Sequence, residues 1–304
     1  MNNKHWQYVY LLLVFIVLLD FAFGKLYESL YFSERSRQND RLIHSVLGAN
    51  EEILIFGSSR ALHHYNPQII GNSLGMTCYN SGSGGQNIYF HLALLKSALE
   101  RYTPKIVILE LMYIDFEQTP PEWDTEKLGV LLPFAWISDA CMDAVLLKGY
   151  WEQVKLQSRI YPYNSLPYKM LRNNILPYHN YKDGFIPLNR TYNGDLKLKT
   201  SNNQNVDKDK MAALNHFVEI CQVNKIELFV FVSPHYALNG KKESVYKEVS
   251  EQLHEKHNLA VQNLESHKLF LEHPDYFSDP FHLNSKGADV YSLLIVKKIQ
   301  GLTP

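Results

Sequence analysis

Five short apolar runs alternate with segments of helical periodicity along most of this chain, and this alternation restricts the fold more than any other feature. The runs occupy residues 52–57, 76–80, 105–111, 226–232 and 259–263. Continuous apolar runs rich in β-branched residues are typical of strands buried on both faces of a parallel sheet. Helices are predicted over residues 87–101, 207–224, 242–257 and 288–299. We therefore predict a three-layer α/β domain with a parallel sheet of about five strands.

One connection, residues 116–205, is far longer than an ordinary link between a strand and the next helix. It contains one predicted helix over 138–157, followed by a stretch rich in Tyr, Pro and Asn. We interpret it as an insertion that covers the carboxyl edge of the sheet, where the site of such a fold lies. Many of the 20 Tyr and 4 Trp residues of the chain fall in or near it. Aromatic side chains suit sugar faces or protein contacts, although packing in the core is the simpler explanation.

An almost wholly apolar segment lies near the N-terminus. Residues 8–19 carry no charge, and the apolar character resumes after Asp20 and continues to Gly24. Crossing the hydrocarbon core of a bilayer takes about 20 residues, so this segment is at the short edge. An uncleaved anchor and a cleaved secretory signal both fit, the second because residues 22–24 form a small-x-small sequence. We favour the anchor because Asp20 interrupts the usual approach to a cleavage site.

These features predict three parts of the chain. Residues 1–30 are expected to be the anchor, 31–50 a polar helical stalk, and 51–304 the folded domain with its insertion. Basic residues lie on both sides of the apolar segment and do not fix its orientation by charge alone. Export follows from either interpretation of the segment. We therefore expect a single-pass protein of the cytoplasmic membrane, with its domain on the extracytoplasmic side.

Charge and cysteine content exclude several classes of function. The net charge is −1, with Lys and Arg spread along the chain, which argues against a nucleic-acid partner. Cys78, Cys141 and Cys221 are far apart and form no CxxC pair. Buried free thiols are therefore expected, and neither a disulfide nor a metal site is predicted.

Two local patterns carry residue types that are used in nucleophilic catalysis. Ser59 comes directly after a strand that ends in Gly57, although a helix N-cap is the simpler explanation for a serine there when it is taken alone. Asp279 lies three residues before His282, on a loop ahead of the last helix. This spacing lets the carboxylate accept a hydrogen bond from one ring nitrogen while the other faces a nucleophile.

Together these patterns resemble the SGNH (GDSL-type) hydrolase superfamily, whose members share a flavodoxin-like sheet. The first block of that family corresponds to Gly57-Ser58-Ser59, the second to residues 80–85, and the last to Asp279 and His282. The resemblance covers roughly residues 52–115 and 226–299. It implies that Ser59 is the nucleophile, that His282 and Asp279 are its partners, and that the N–H groups of Ser59 and Gly85 form the oxyanion hole. It implies no cofactor.

The sequence departs from the family at two positions. Ile114 stands where the family has an Asn that donates to the oxyanion, so Arg60, Asn87 and Tyr113 are candidate substitute donors and pocket residues. A surface position is the simpler explanation for Arg60. Ser58 replaces the Asp of the first block. This Gly-Ser-Ser variant is similar to membrane-linked proteins of cell-surface polymer acylation, such as those of teichoic acid alanylation and alginate acetylation.

These observations predict an exported, membrane-tethered serine esterase that acts on acyl esters, with acetyl expected, of carbohydrate or lipid. Two alternatives remain open: an acyltransferase or accessory protein of surface-polysaccharide O-acylation, and a non-catalytic binding member of the same fold. Envelope-assembly proteins are the expected protein partners. His235 and Tyr236 end the fourth strand and complete the set of candidate pocket residues.

Overall fold

A parallel sheet of five strands forms the centre of the protein. The computed structural model describes residues 3–33, 37–176, 183–194, 197–198, 205–238 and 243–302. Its strands are β1 (Ile53–Phe56), β2 (Cys78–Asn80), β3 (Ile106–Glu110), β4 (Lys197–Leu198), β5 (Glu227–Val232), β6 (Ala237–Leu238), β7 (Val261–Asn263), β8 (Phe277–Asp279) and β9 (His282–Leu283). The central sheet has the order β2-β1-β3-β5-β7, while β4–β6 and β8–β9 form two small pairs. All five predicted strands are confirmed, and so is the α/β fold class.

Helices cover both faces of the central sheet. They are α1 (Asn3–Phe32), α2 (Arg37–Ile43), α3 (Ser59–His64), α4 (Pro67–Leu74), α5 (Ile88–Leu99), α6 (Pro121–Glu126), α7 (Asp139–Leu146), α8 (Tyr150–Lys155), α9 (Pro167–Ile175), α10 (Lys208–Val223), α11 (Glu243–His257), α12 (Lys268–Leu271) and α13 (Ser285–Leu302). The four helices predicted outside the insertion are confirmed, with ends shifted by at most three residues. The single helix predicted over 138–157 is wrong, because Gly149 has φ of 111° and divides it into α7 and α8.

The core has two halves because alternate strand residues point to opposite faces of the sheet. Leu54 of β1 and Val107 of β3 pack on the side that holds α5 and α10. Ile55 and Ile108 pack on the side that holds α13. Every residue of β1 and β3 is buried, which explains why these strands read as continuous apolar runs. The three cysteines are free and buried, as predicted.

Helix α1 stands largely outside the domain. Within the described residues it is the one helix that is long and apolar enough to cross a membrane, over His5–Phe32, with a mean hydropathy of 2.3 in an 18-residue window. Its residues 5–19 are all exposed. Contacts with the domain begin at Asp20, whose carboxylate accepts a hydrogen bond from the N–H of Arg159 at 2.7 Å.

The segment predicted as a polar stalk is packed against the domain in its described part. Arg41 is buried and donates from Nε to the carbonyl of Gly184 at 2.5 Å. Its Nη2 donates to the carbonyls of Gly82 at 2.5 Å and Asn80 at 3.2 Å. Val46, farther along, is fully buried. Arg41 of this segment thus binds carbonyl groups of the domain, two of them at or just after the carboxyl end of β2.

Parts of the predicted insertion border the carboxyl edge of the sheet. The N–H of Ile186 donates to the carbonyl of Leu62 at 3.2 Å, and the N–H of Ser285 donates to the carbonyl of Leu188 at 2.7 Å. Residues 177–182, 195–196 and 199–204 of the insertion lie outside the described residues. The return segment 183–194 therefore runs beside the ends of β1 and β2, where the candidate site lies.

Candidate active site

A tight turn between β1 and α3 places Ser59 at the carboxyl edge of the sheet. Gly57 has φ of 138°, a conformation that favours glycine. A methyl group on Gly57 would lie 2.7 Å from the carbonyl oxygen of Glu110 and 2.9 Å from Cβ of Ala61. Only glycine therefore fits between β3 and the first turn of α3. Ser59 begins that helix and is partly exposed.

The hairpin of β8 and β9 brings a carboxylate and an imidazole to Ser59. Nε2 of His282 lies 2.8 Å from Oγ of Ser59, and Nδ1 lies 2.9 Å from Oδ2 of Asp279. Burial opposes ionisation of Asp279, but hydrogen bonds from the His282 ring and from the N–H of Phe281 hold the pKa of this carboxyl below its ordinary value. His282 is thus within hydrogen-bond distance of both of the residues predicted to act with it, Ser59 and Asp279. An ionised Asp279 favours the proton on Nδ1, which leaves Nε2 able to accept the Ser59 proton.

The glycine-rich turn after β2 passes beside the nucleophile. Oδ1 of Asn80 accepts a hydrogen bond from the N–H of Gly82 at 2.9 Å, which shapes the start of the turn. A Cβ on Gly84 would lie 3.7 Å from Cβ of Ser59. Gly85, the predicted oxyanion residue, is exposed and has φ of 76°. The backbone of this turn therefore borders the space in front of Ser59.

The three candidate substitute donors make hydrogen bonds elsewhere. Arg60 is 3% exposed, which contradicts a surface position, and its Nη1 donates to the carbonyl of Ser233 at 2.9 Å. Asn87 caps α5 and donates from Nδ2 to the carbonyl of Asp124 at 3.1 Å. The hydroxyl of Tyr113 donates to Oε1 of Glu265.

The last two candidate pocket residues support the hairpin that carries Asp279 and His282. Nε2 of His235 lies 3.1 Å from Oε1 of Glu265, and the His235 ring stacks on Phe281 with 6.4 Å between centroids. The N–H of Tyr236 donates to the carbonyl of Pro280 at 2.8 Å. Glu265, which connects His235 with Tyr113, carried no signal in the sequence beyond its position after a weak strand.

A buried polar network lies behind the site, and the sequence motifs did not predict it. Glu110, at the end of β3, accepts hydrogen bonds from the hydroxyls of Tyr65 and Ser233, the second at 2.7 Å. Nδ1 of His64 lies 2.9 Å from Oγ of Ser233. Burial lowers the pKa of His64 and raises that of Glu110, although Arg60 opposes the latter shift. A carboxylate inside an apolar strand was the one sequence signal that pointed to such a network.

Two other titratable groups lie near these residues. Burial raises the pKa of Asp115 to about 7, against the lowering effect of the Arg60 and Lys127 charges. Nδ1 of His63 donates to the carbonyl of Ile186 at 2.7 Å, and its ring packs edge-on against His282.

Among the described residues no group of His, Cys, Asp and Glu has the arrangement of a metal site.

Two solved structures resemble this chain. One is a candidate acylhydrolase from Bacteroides fragilis NCTC 9343, at 13% identity and a TM-score of 0.39, over 82% of this chain and 86% of the other. The second is a candidate lipolytic protein of the G-D-S-L family from Desulfitobacterium hafniense DCB-2, at 10% identity and a TM-score of 0.42, over 82% of this chain and 99% of the other. No family model and no curated protein matches the sequence.

Proposed function

We propose that the protein is a membrane-tethered serine esterase that cleaves acyl esters of carbohydrate or lipid, with acetyl esters as the expected substrates. The observation that carries this proposal is the alignment of Ser59, His282 and Asp279, with contacts of 2.8 Å and 2.9 Å on the two sides of the imidazole. A non-catalytic member with a decayed site would not be expected to retain this geometry.

In the proposed mechanism, Oγ of Ser59 attacks the ester carbonyl while its proton passes to Nε2 of His282. The carbonyl π electrons move to oxygen, and the N–H groups of Ser59 and Gly85 stabilise the resulting oxyanion. Collapse of this intermediate breaks the bond to the alcohol, which takes the proton from His282. Water then repeats the sequence on the acyl-enzyme, so that a carboxylic acid is released and Ser59 is regenerated.

The exposure of the site favours water as the acceptor over a second sugar. The side chains of His282 and Asp279 are 24% and 45% exposed, so solvent reaches the base directly. Acyl transfer to a glycan hydroxyl, the alternative, uses the same three residues and would require water to be excluded when the acceptor is bound. Hydrolysis is therefore our first choice. Attachment to the cytoplasmic membrane through α1, with the domain outside, is part of the proposal because α1 has the length and composition of a span.

A fluorophosphonate probe tests the nucleophile without knowledge of the substrate. The probe forms a covalent Oγ–P bond with an activated serine and loses fluoride. We expect labelling of the full chain in detergent, loss of labelling in Ser59→Ala, and unchanged labelling in Ser165→Ala, the same substitution at an exposed serine of the insertion. Equal labelling of Ser59→Ala would show that this site is not the reactive one.

Two further assays separate the remaining alternatives. Acetate release from acetylated glycans supports hydrolysis, whereas movement of the acyl group to an added glycan with little release supports transfer. An unlabelled wild-type chain with no turnover would favour the non-catalytic alternative.

A further inference from the structure

An exposed apolar surface lies on the part of the insertion that contacts α1. Its members, here called the insertion surface, are Trp136, Trp151, Val154, Tyr168, Leu171 and Ile175. Trp151 is 72% exposed and Tyr168 is 80% exposed. Tyr168, Leu171 and Ile175 recur at helical spacing on α9, whereas Met170 faces the core. A group of large exposed apolar side chains on one segment is typical of an interaction surface.

Hydrogen bonds hold this part of the insertion against α1. The carboxylate of Asp20 accepts from the hydroxyl of Ser158 at 2.5 Å and from the N–H groups of Arg159 at 2.7 Å and Ile160 at 3.4 Å. The guanidinium of Arg159 lies 4.8 Å from the ring centroid of Trp136. Trp136 is therefore only one side chain away from α1 at the level of Asp20.

The length of α1 sets the depth of that contact. Its free part, residues 5–19, is 15 residues long and spans about 22 Å at 1.5 Å per residue, less than the roughly 30 Å of a hydrocarbon core. About five more residues, 20–24, are needed to complete the crossing, and tilt of the helix increases this number. The turn at 158–160 that binds Asp20 must then lie at the depth of the lipid headgroups or deeper, toward the hydrocarbon core.

Composition agrees with this depth. Residues 136–176, which span the insertion surface, contain five basic and three acidic side chains. Of the acidic residues, Glu152 is buried and paired with Lys155 at 2.5 Å. Basic residues close to a membrane span attract anionic headgroups, and Trp and Tyr are enriched at the interface between headgroups and acyl chains.

We propose that the insertion surface lies in the headgroup region of an anionic phospholipid bilayer, so that the domain rests on the membrane. The proposal depends on the anchor role given to α1 above. A second protein that covers the same surface is the competing occupant, and the experiment below distinguishes the two.

Quenching of single tryptophans by brominated lipids measures this placement. The full chain is reconstituted into vesicles of phosphatidylglycerol and phosphatidylcholine that is brominated near the carbonyl end of its acyl chains. One protein keeps Trp151 and another keeps Trp6, with the remaining tryptophans changed to Phe. All four tryptophans are exposed, so these changes leave the core intact.

The control protein has all four tryptophans changed to Phe and carries Val223→Trp. Val223 is 81% exposed at the end of α10, at the amino edge of the sheet just before β5 begins. We expect Trp6 and Trp151 to be quenched severalfold more than the control tryptophan.

Two results would overturn the proposal. If Trp6 is quenched but Trp151 behaves like the control, the domain stands away from the lipid, and the surface is left for a protein partner. If Trp6 is not quenched either, α1 is not inserted, and the membrane placement fails together with the anchor. Labelling of Ser59 by the fluorophosphonate probe does not depend on either result.

Discussion

The N–H of Leu283 donates a hydrogen bond to Nε2 of His64 at 2.9 Å. This contact joins α3, which begins at Ser59, to the strand that begins at His282. Because Nε2 accepts, the proton of neutral His64 lies on Nδ1, which donates to Oγ of Ser233. The proposed nucleophile and its base are thus held in register by a buried histidine, whose ring also packs edge-on against that of His282 with 6.2 Å between centroids.

His64→Phe should lower kcat by about tenfold or more while KM changes little, because a small displacement of His282 affects proton transfer more than substrate binding. The unpaired N–H of Leu283 should also cost about 1–3 kcal/mol of unfolding free energy. Turnover of a chromogenic ester and chemical unfolding in detergent measure the two effects. His91→Phe, the same change at a buried histidine on α5, should leave kcat unaltered. An unchanged kcat in His64→Phe would reduce the role of His64 to stability alone.

Asp115 should make the protein less stable as the pH rises. Burial raises its pKa to about 7 from an ordinary value of 3.8. Between about pH 4 and pH 7 the native state therefore holds a proton that the unfolded chain has lost, so the unfolding free energy falls with increasing pH. Asp115→Asn should remove this slope and stabilise the protein at pH 8 by about 1–3 kcal/mol. Unfolding at pH 5 and pH 8 tests this, with the exposed Asp143→Asn as the control. Parallel pH curves for Asp115→Asn and the wild type would contradict it.

Ile114→Asn should raise esterase activity. Asn87 and Tyr113 make hydrogen bonds elsewhere, and Arg60 is buried with Nη1 bonded to the carbonyl of Ser233, so we assign only two backbone donors to the proposed oxyanion hole. One such donor contributes about 10²–10³ in rate in a known hydrolase, which sets the upper limit of the gain. The measurement is kcat/KM with a small acetyl ester, with Ile114→Leu as the volume-matched control. A lower rate for Ile114→Asn alone would indicate that another group already donates to the oxyanion.

Gly57→Ala should destabilise the turn that presents Ser59. The new methyl group would meet the carbonyl of Glu110 at 2.7 Å, in addition to the strain of φ at 138°. Gly75→Ala is a matched control, since Gly75 also has positive φ, of 68°, but a methyl group there meets no atom within 4 Å. We expect Gly57→Ala to lose about 2–4 kcal/mol of unfolding free energy and Gly75→Ala about 1 kcal/mol. Equal losses in thermal or chemical unfolding would show that the close contact with β3 is relieved.

The central sheet could be predicted from the sequence because burial on both faces gives a strand a continuous apolar run. β1 and β3 are apolar at every position except Glu110, and their short length and β-branched residues favour strands over a buried helix. Asp279 and His282 were also readable, since a single hairpin holds both and their spacing is local. Gly149, by contrast, divides the helix predicted over 138–157. The sequence could not show this, because a single glycine within an apolar periodic segment does not indicate its backbone φ angle.

Contacts between distant parts of the chain could not be predicted from the sequence. Arg60 was assigned to the pocket or the surface, but its partner, the carbonyl of Ser233, lies 173 residues away. Arg41 looked like a residue of a solvated stalk, because a side chain that binds carbonyl groups has the same polarity as one that binds water. In both cases the fold supplies the partner, and no local pattern encodes it.

The bonds of Arg41 to the carbonyls of Asn80 and Gly82 hold α2, the next helix after α1, at the edge of the sheet that also holds Ser59. With α1 as the proposed membrane anchor, rotation of the domain about the axis of α1 would carry Ser59 around a ring at constant height above the lipid. Ser59 would then meet only molecules that lie in a thin layer of the envelope at that height. Ester groups on lipid-linked chains or on the membrane-proximal ends of polymers would be within reach, whereas the same groups farther out would not, whatever their chemistry.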